Sequence, residues 1–166
     1  MVKLEVISKS AQVFKSTLSS PVGSWNLLWS EGGIVRITST EDVGFCTSSK
    51  DVPDWLDRAW VEFWSGSKVK VTFCAYRKPP LFTARVYEVV YSIPFGSTLT
   101  YTEVASLAGN ARAFRAVGTI MRNNPWALFV PCHRVIGSDG SMRGYGGPKG
   151  IELKRALLDY EHKNKS

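Results

Sequence analysis

Trp126-Ala127-Leu128-Phe129-Val130-Pro131-Cys132-His133-Arg134-Val135 is the stretch on which the reading of this chain turns. Five apolar residues lead to a proline, then a thiol, an imidazole and a guanidinium follow in succession. An apolar run of that length predicts a buried strand or extended core segment. The end of such an element can hold a side chain rigidly toward a cleft. Imidazole and guanidinium neighbours both favour the thiolate, the nucleophilic form of cysteine. Cysteine is also among the most buried residue types and packs as a small hydrophobe. The Cys132-His133 pair alone therefore leaves a catalytic and a structural reading open.

Immediately upstream, Thr100-Tyr101-Thr102-Glu103 has the Thr-x-x-Glu form of a capping box. Val104, Leu107 and Ala108 supply the buried face of the short helix it opens, and Gly109 is placed to end it. Asn110 can cap a second helix over about 111–122. Two helices joined by a tight glycine-containing turn predict a helix-turn-helix. Ala113, Val117, Ile120 and Met121 form the inner face of the second helix, with Arg112, Arg115, Thr119 and Arg122 outside and the small Ala116 and Gly118 nearby. Small residues let a helix approach a groove, and arginines pair with phosphate; a solvated arginine face is the plainer alternative. Before this pair, Leu81, Phe82, Val86, Val89, Val90 and Ile93 repeat at helical spacing. Downstream, 137–150 is glycine-rich and lacks the frame of a P-loop. Leu153, Ala156, Leu157 and Tyr160 then mark an amphipathic helix over about 151–161.

The first half reads differently. Short strand patterns at 2–8 and 13–18 precede a hairpin pattern, 25–30 and 34–40, around Glu31-Gly32-Gly33. Trp55, Leu56, Ala59, Trp60, Phe63 and Trp64 form a helical stripe, with Asp54 able to cap it; 69–73 is a further strand candidate. Pro79-Pro80 marks a linker. The predicted fold is α/β of the α+β type. A small N-terminal sheet domain with a covering helix spans 1–78, and a mainly helical domain containing the helix-turn-helix spans 79–166.

Of 166 residues, 44% are hydrophobic, the proportion of a globular protein. Residues 1–75 carry 8 Lys+Arg and 8 Asp+Glu, whereas 76–166 carry 13 and 6, so the whole net charge of +7 lies in the second half. Such a one-sided excess suits a phosphate-backbone binder, and equally a solubilising surface. No signal-peptide pattern or membrane-length apolar run is present, so a cytoplasmic location is expected, nucleoid-associated, or nuclear in a eukaryote. The three cysteines, Cys46, Cys74 and Cys132, argue by their odd number against a disulfide framework; a Cys46–Cys74 bridge stays open. With His133 and His162 the only histidines, no metal site and no cofactor are expected.

Pro131-Cys132-His133-Arg134-Val135, with Arg115-Ala116-Val117-Gly118, Arg122-Asn123-Asn124-Pro125, Gly144-Tyr145-Gly146-Gly147 and Leu157-Leu158-Asp159-Tyr160-Glu161, resembles the O6-alkylguanine-DNA alkyltransferases, or methylated-DNA–protein-cysteine methyltransferases. The resemblance runs from about Phe82 to Glu161. It implies repair by direct damage reversal: irreversible, single-turnover transfer of the alkyl group from O6-alkylguanine, and O4-alkylthymine, to Cys132. In that scheme His133 acts on the thiol through a water, Glu161 orients the imidazole, and Asn124 ties the helix end to the active-site segment. Tyr101 reaches the base with its hydroxyl, and the Val135 carbonyl receives the exocyclic amine. Met121 floors the pocket, Tyr145 walls it, and the Gly146 amide meets O6. Arg115 fills the place of a base flipped from the duplex, while Arg112, Ala116, Gly118 and Arg122 meet DNA through the minor groove. Phe114 stands where relatives commonly have alanine, and the N-terminal histidines that bind zinc in some relatives are missing. The implied partner is double-stranded DNA carrying O6-alkylguanine, met by a monomer. The rival readings are a non-catalytic alkylated-DNA-binding protein, which would lack the cysteine, a helix-turn-helix regulator and a cysteine hydrolase.

Overall fold

The computed structural model describes residues 1–39, 48–143 and 147–166. Cys46, Tyr145 and Gly146, together with the expectations resting on them, lie outside the described residues. The chain divides into two compact units. One comprises Val2–Lys78 with Pro125–Phe129; the other comprises Pro79–Asn124 and Val130–Ser166, with Met1.

The first unit is built on strands β1 (Lys3–Val6), β2 (Phe14–Ser20), β3 (Gly23–Ser30), β4 (Gly33–Thr38) and β5 (Ser48–Ser49), helix α1 (Asp54–Trp64) and strand β6 (Thr72–Ala75). Among the described residues these form one six-stranded sheet in the order β1-β6-β4-β3-β2-β5. β2, β3 and β4 make an antiparallel meander, and β6 inserts parallel between β1 and β4. Gly33, at φ +144°, is required where β4 meets β6, since a Cβ there would lie 2.1 Å from the Thr72 carbonyl oxygen. Helix α1 buries Leu56, Ala59, Trp60 and Phe63, and the Trp60 indole donates to the Ser19 carbonyl at 2.9 Å. Its N-cap is Pro53, with no side-chain cap bond; Asp54 already lies inside the first turn.

The run Trp126–Val130 is not a strand. It makes one isolated bridge, Ile37 to Trp126, and the Ile37 amide donates to the Pro125 carbonyl at 2.8 Å. Leu128 then takes φ +70°, which bends the backbone out of any extended ladder. The apolar pattern has a different cause: Trp126 packs on Phe73 at 5.3 Å between ring centroids, and Phe129 lies against Trp60 and Phe63. The segment 125–129, predicted to belong with 79–166, is thus core of the N-terminal unit.

The second unit opens with α2 (Leu81–Tyr91), which buries Val86, Tyr87, Val90 and Tyr91. Strand β7 (Leu99–Thr100) runs directly into α3 (Tyr101–Leu107). Both bonds of the capping box form: the Glu103 amide donates to Thr100 Oγ1 at 3.1 Å, and the Thr100 amide donates to Glu103 Oε2 at 2.7 Å. Gly109, at φ +94°, turns the chain, and Asn110 Oδ1 accepts from the Arg112 amide. A 3-10 turn, Ala111–Ala113, leads into α4 (Phe114–Arg122), shorter than the predicted 111–122 because its first residues tighten. Val117 and Met121 are its buried residues. A second 3-10 turn carries Cys132–Arg134, followed by β8 (Val135–Ile136) and α5 (Gly147–Asn164). The parallel pairing of β7 with β8 sets Leu99 beside Val135 and Thr100 beside Ile136. It therefore joins the start of the helix-turn-helix to the end of the cysteine turn. Helix α5 turns Lys154, Leu157 and Glu161 inward; of the predicted apolar face, Leu153 and Tyr160 are half-buried and Ala156 is exposed. No helix of the described residues is long and apolar enough to cross a membrane.

Candidate active site

Cys132 opens its 3-10 turn, held by its own amide donating to the Val130 carbonyl at 2.7 Å. Asn124, just past α4, donates from Nδ2 to the same carbonyl at 2.9 Å and is also a hydrogen-bond partner of the thiol. Burial pushes the Cys132 thiol up; the Asn124 hydrogen bond and the charge of Lys154 pull it back toward the thiolate. The side chain is only 4% exposed.

Arg134 does not assist the thiol as its position in the sequence suggests. Its guanidinium forks onto Glu161, with Nε to Oε2 at 2.9 Å and Nη2 to Oε1 at 2.8 Å, while Nη1 donates to the Ile93 carbonyl at 2.7 Å. Successive residues of a 3-10 turn point about a third of a turn apart, so Arg134 leaves the sulfur and reaches α5. His133 Nε2 lies 2.7 Å from Glu161 Oε1, and the Gly96 amide donates to Oε2 at 2.9 Å. Glu161, 1% exposed, thus holds an imidazole, a guanidinium and a backbone amide. Burial raises the carboxyl, but its bonds to His133 and Arg134 outweigh that and bring it down to about 2. Burial lowers His133, the charges of Arg134 and Lys154 lower it further, and Glu161 opposes them. The two partners pull in opposite senses. Arg134 is a permanent cation and already neutralises the carboxylate, so the pair is neutral imidazole with ionised Glu161. A carboxylate only accepts hydrogen bonds; Nε2 therefore carries the proton and Nδ1 the lone pair.

A cavity of about 670 Å³ opens in this unit between Tyr101, Arg115, Gly118 and Arg122 of the helix-turn-helix and the turn containing Gly137 and Arg143. Met121, expected to floor the base pocket, is buried in the helix packing; the residues lining this cavity include neither Met121 nor Cys132. The α4 backbone turns residue 121 to the side carrying Val117, three to four residues away on the same face. Arg112, Arg115, Ala116 and Arg122 are exposed. The Arg115 guanidinium lies 5.7 Å from the ring centroid of Phe114, itself 42% exposed.

Tyr101 donates its hydroxyl to the Arg143 carbonyl at 2.6 Å, and burial followed by the charge of Cys132 pushes it up to about 12. Lys154, on α5, donates to the Val135 carbonyl and, at 3.2 Å, to the Arg143 carbonyl. Lys154 and Arg143 were not marked by the sequence as site residues. Lys154 falls in an amphipathic helix where lysines usually face water; its only signal is the i, i+3, i+7 spacing with Leu157 and Glu161. Cys74 is a free, buried thiol of the other unit. Among the described residues no three His, Cys, Asp or Glu side chains gather as a metal site.

The model of the 6-O-methylguanine DNA methyltransferase DNA-binding domain matches residues 81–163. The methylated-DNA–protein-cysteine methyltransferase of Methanosarcina barkeri is 32% identical over 164 residues, covering 92% of this chain and 99% of that protein. The crystal structure of the Mycobacterium tuberculosis O6-methylguanine methyltransferase superposes with a TM-score of 0.79 at 31% identity, covering 93% of this chain and 96% of that one. Mycobacterium tuberculosis OGT in complex with DNA gives 0.76 at 33%, covering 92% and 94%. A whole-length relative, a matching domain model and a shared fold agree with the Cys132–His133–Glu161 geometry: the chain belongs to the methylated-DNA–protein-cysteine methyltransferase family.

Proposed function

We propose that this protein repairs DNA by moving the alkyl group of O6-alkylguanine, and of O4-alkylthymine, onto Cys132. The observation that carries the reading is a buried cysteine beside a neutral His133 bonded to Glu161, in the same unit as a helix-turn-helix with exposed arginines. The thiol proton passes to Nδ1 of His133 through a water, and the thiolate attacks the alkyl carbon. An S–C bond forms as the C–O6 bond breaks, and the guanine leaves with the electron pair. Glu161 orients the imidazole and stabilises it when protonated. Tyr101, the first residue of α3, stays protonated at neutral pH; serving the base requires it to release the Arg143 carbonyl. The Val135 carbonyl has a second lone pair for the exocyclic amine. The thioether is not reopened by thiol exchange, so each chain acts once.

An O6 substituent is hidden within a duplex, so the nucleotide is flipped out. Arg115 fills its place, and Arg112 and Arg122 meet phosphates, with Ala116 and Gly118 close to the minor groove. Double-stranded alkylated DNA is the partner, and the protein acts as a monomer.

Incubation with a duplex containing O6-methylguanine is expected to add the mass of one methyl group, at Cys132, in stoichiometric yield. Cys132→Ser should bind the duplex and transfer nothing, because a hydroxyl is a far weaker nucleophile than a thiolate. Sustained turnover at substrate excess would identify a hydrolase instead. Unmodified protein that binds alkylated DNA, or binds one sequence preferentially, would favour the rival binding readings.

A further inference from the structure

Lys154 is 1% exposed, yet it stands on a helix whose neighbouring positions, Glu152 and Arg155, face water. A buried ammonium is retained only where its donors and its charge are answered. Its Nζ donates to the carbonyl of Val135, the third residue after Cys132, and to the carbonyl of Arg143 on the cavity turn. The Arg143 carbonyl also accepts the Tyr101 hydroxyl at 2.6 Å. Lys154 Nζ lies 5.7 Å from the centroid of the Tyr101 ring. One side chain therefore links the cysteine turn, the first residue of α3 and the turn that faces α4 across the cavity.

We propose that Lys154 is a positioning residue of the transfer reaction: its ammonium fixes the Val135 and Arg143 carbonyls that shape the base pocket and holds a positive charge facing the Cys132 thiolate. This rests on the alkyl-transfer reading above. The groups that act on the sulfur come from several elements. Tyr87 of α2 and Tyr101 of α3 are each pushed up by burial and then by its charge, Asn124 hydrogen-bonds it, and neutral His133 adjoins it. The positive charge of Lys154 pulls this thiol toward the thiolate, whereas Arg134 is committed to Glu161. The influence is mutual: burial brings Lys154 down to about 8, and the charge of Cys132 opposes that fall.

The test is the single-turnover rate of methyl transfer from an O6-methylguanine duplex at saturating DNA, measured from pH 5 to 9. Wild type is compared with Lys154→Met, Lys154→Gln and Lys154→Arg, each checked for folding by circular dichroism. Glutamine keeps amide donors for the carbonyls but removes the charge, and it replaces methionine in the comparison should methionine prevent folding. The uncharged variants should have the midpoint of the pH profile raised by about one pH unit, equivalent to about tenfold slower transfer below it. Their rates should approach wild type at high pH, and Lys154→Arg should keep the wild-type midpoint. An unchanged midpoint in a folded, uncharged variant would overturn the inference, even if its rate were uniformly lower, since that is the mark of a merely structural side chain. Transfer by wild type with unchanged midpoints would remove this inference alone; no transfer by wild type would remove the reaction and the inference with it.

Discussion

Glu161 shows how much one buried side chain can carry. It accepts from the His133 imidazole, the Arg134 guanidinium and the Gly96 amide, so its charge is satisfied on three sides. Its descent to about 2 from the ordinary 4.5 is worth on the order of 3 kcal/mol at neutral pH. The sign follows from proton binding. Below pH 4.5 the unfolded chain takes up a proton that folded Glu161 refuses, so this stability is lost as the pH falls toward 2. The lowered His133 acts in the same direction below its ordinary 6.5. The urea midpoint of wild type should therefore fall on acidification from neutral pH. Glu161→Gln should lose about 3–5 kcal/mol at neutral pH, because Arg134 is left buried without its carboxylate, and should show a shallower decline below pH 4.5. Parallel declines in the two proteins would show that Glu161 is not the group responsible.

At the level of elements, the helix-turn-helix separates two kinds of arginine. The capping box and the left-handed Gly109 fix the angle at which α4 follows α3. Arg115 and Arg122 then border the cavity, while Arg112 lies in the 3-10 turn outside it. If Arg115 occupies the gap left by a flipped nucleotide, its contribution offsets lost stacking of a few kcal/mol. Arg115→Ala should slow duplex repair by about 100-fold and leave reaction with free O6-benzylguanine nearly unchanged, since a free base needs no flipping. If Arg112 meets a phosphate as proposed, Arg112→Ala should instead weaken DNA binding and lower its salt slope by about one. Rate measurements on both substrates and binding titrations over salt decide between these assignments; equal slowing of Arg115→Ala on duplex and base would make it a pocket or fold residue.

For the molecule as a whole, the segment Pro125–Phe129 has the broadest consequence. It packs in the N-terminal unit, yet it joins α4 and Asn124 directly to the cysteine turn. Trp126, 2% exposed, meets Phe73, and Phe129 meets Trp60 and Phe63. Unfolding the N-terminal unit therefore releases the chain three residues before Cys132. Trp126→Ala should cost about 3–5 kcal/mol, as large aromatic deletions from a core do. In a urea titration of that variant, the loss of sheet signal by circular dichroism and the loss of methyl-transfer capacity should coincide at a lower midpoint than in wild type. Transfer capacity that outlasts the sheet would show that the catalytic unit does not depend on this anchor.

Local chemistry made much of the protein legible in its sequence. The capping box at Thr100–Glu103, the glycine stop at Gly109, the Asn110 cap and the hairpin around Glu31-Gly32-Gly33 depend on neighbours a few residues apart, so the sequence alone determined them. It also determined that Cys132 and His133 adjoin and that the arginines of α4 share an outer face. Long-range packing decided the rest. Trp126–Val130 reads as a buried strand or extended core segment because a buried irregular segment is equally apolar; only its packing on Phe73, Trp60 and Phe63 distinguishes them. Arg134 reads as a partner of the thiol until α5 brings Glu161 within reach of its fork. Lys154 looks solvent-facing until β8 and the 137–143 turn aim two carbonyls at it. A sequence states which side chains are available, but a buried charge is placed by partners 19 or 27 residues away, and those meet only when the tertiary fold excludes water from between them.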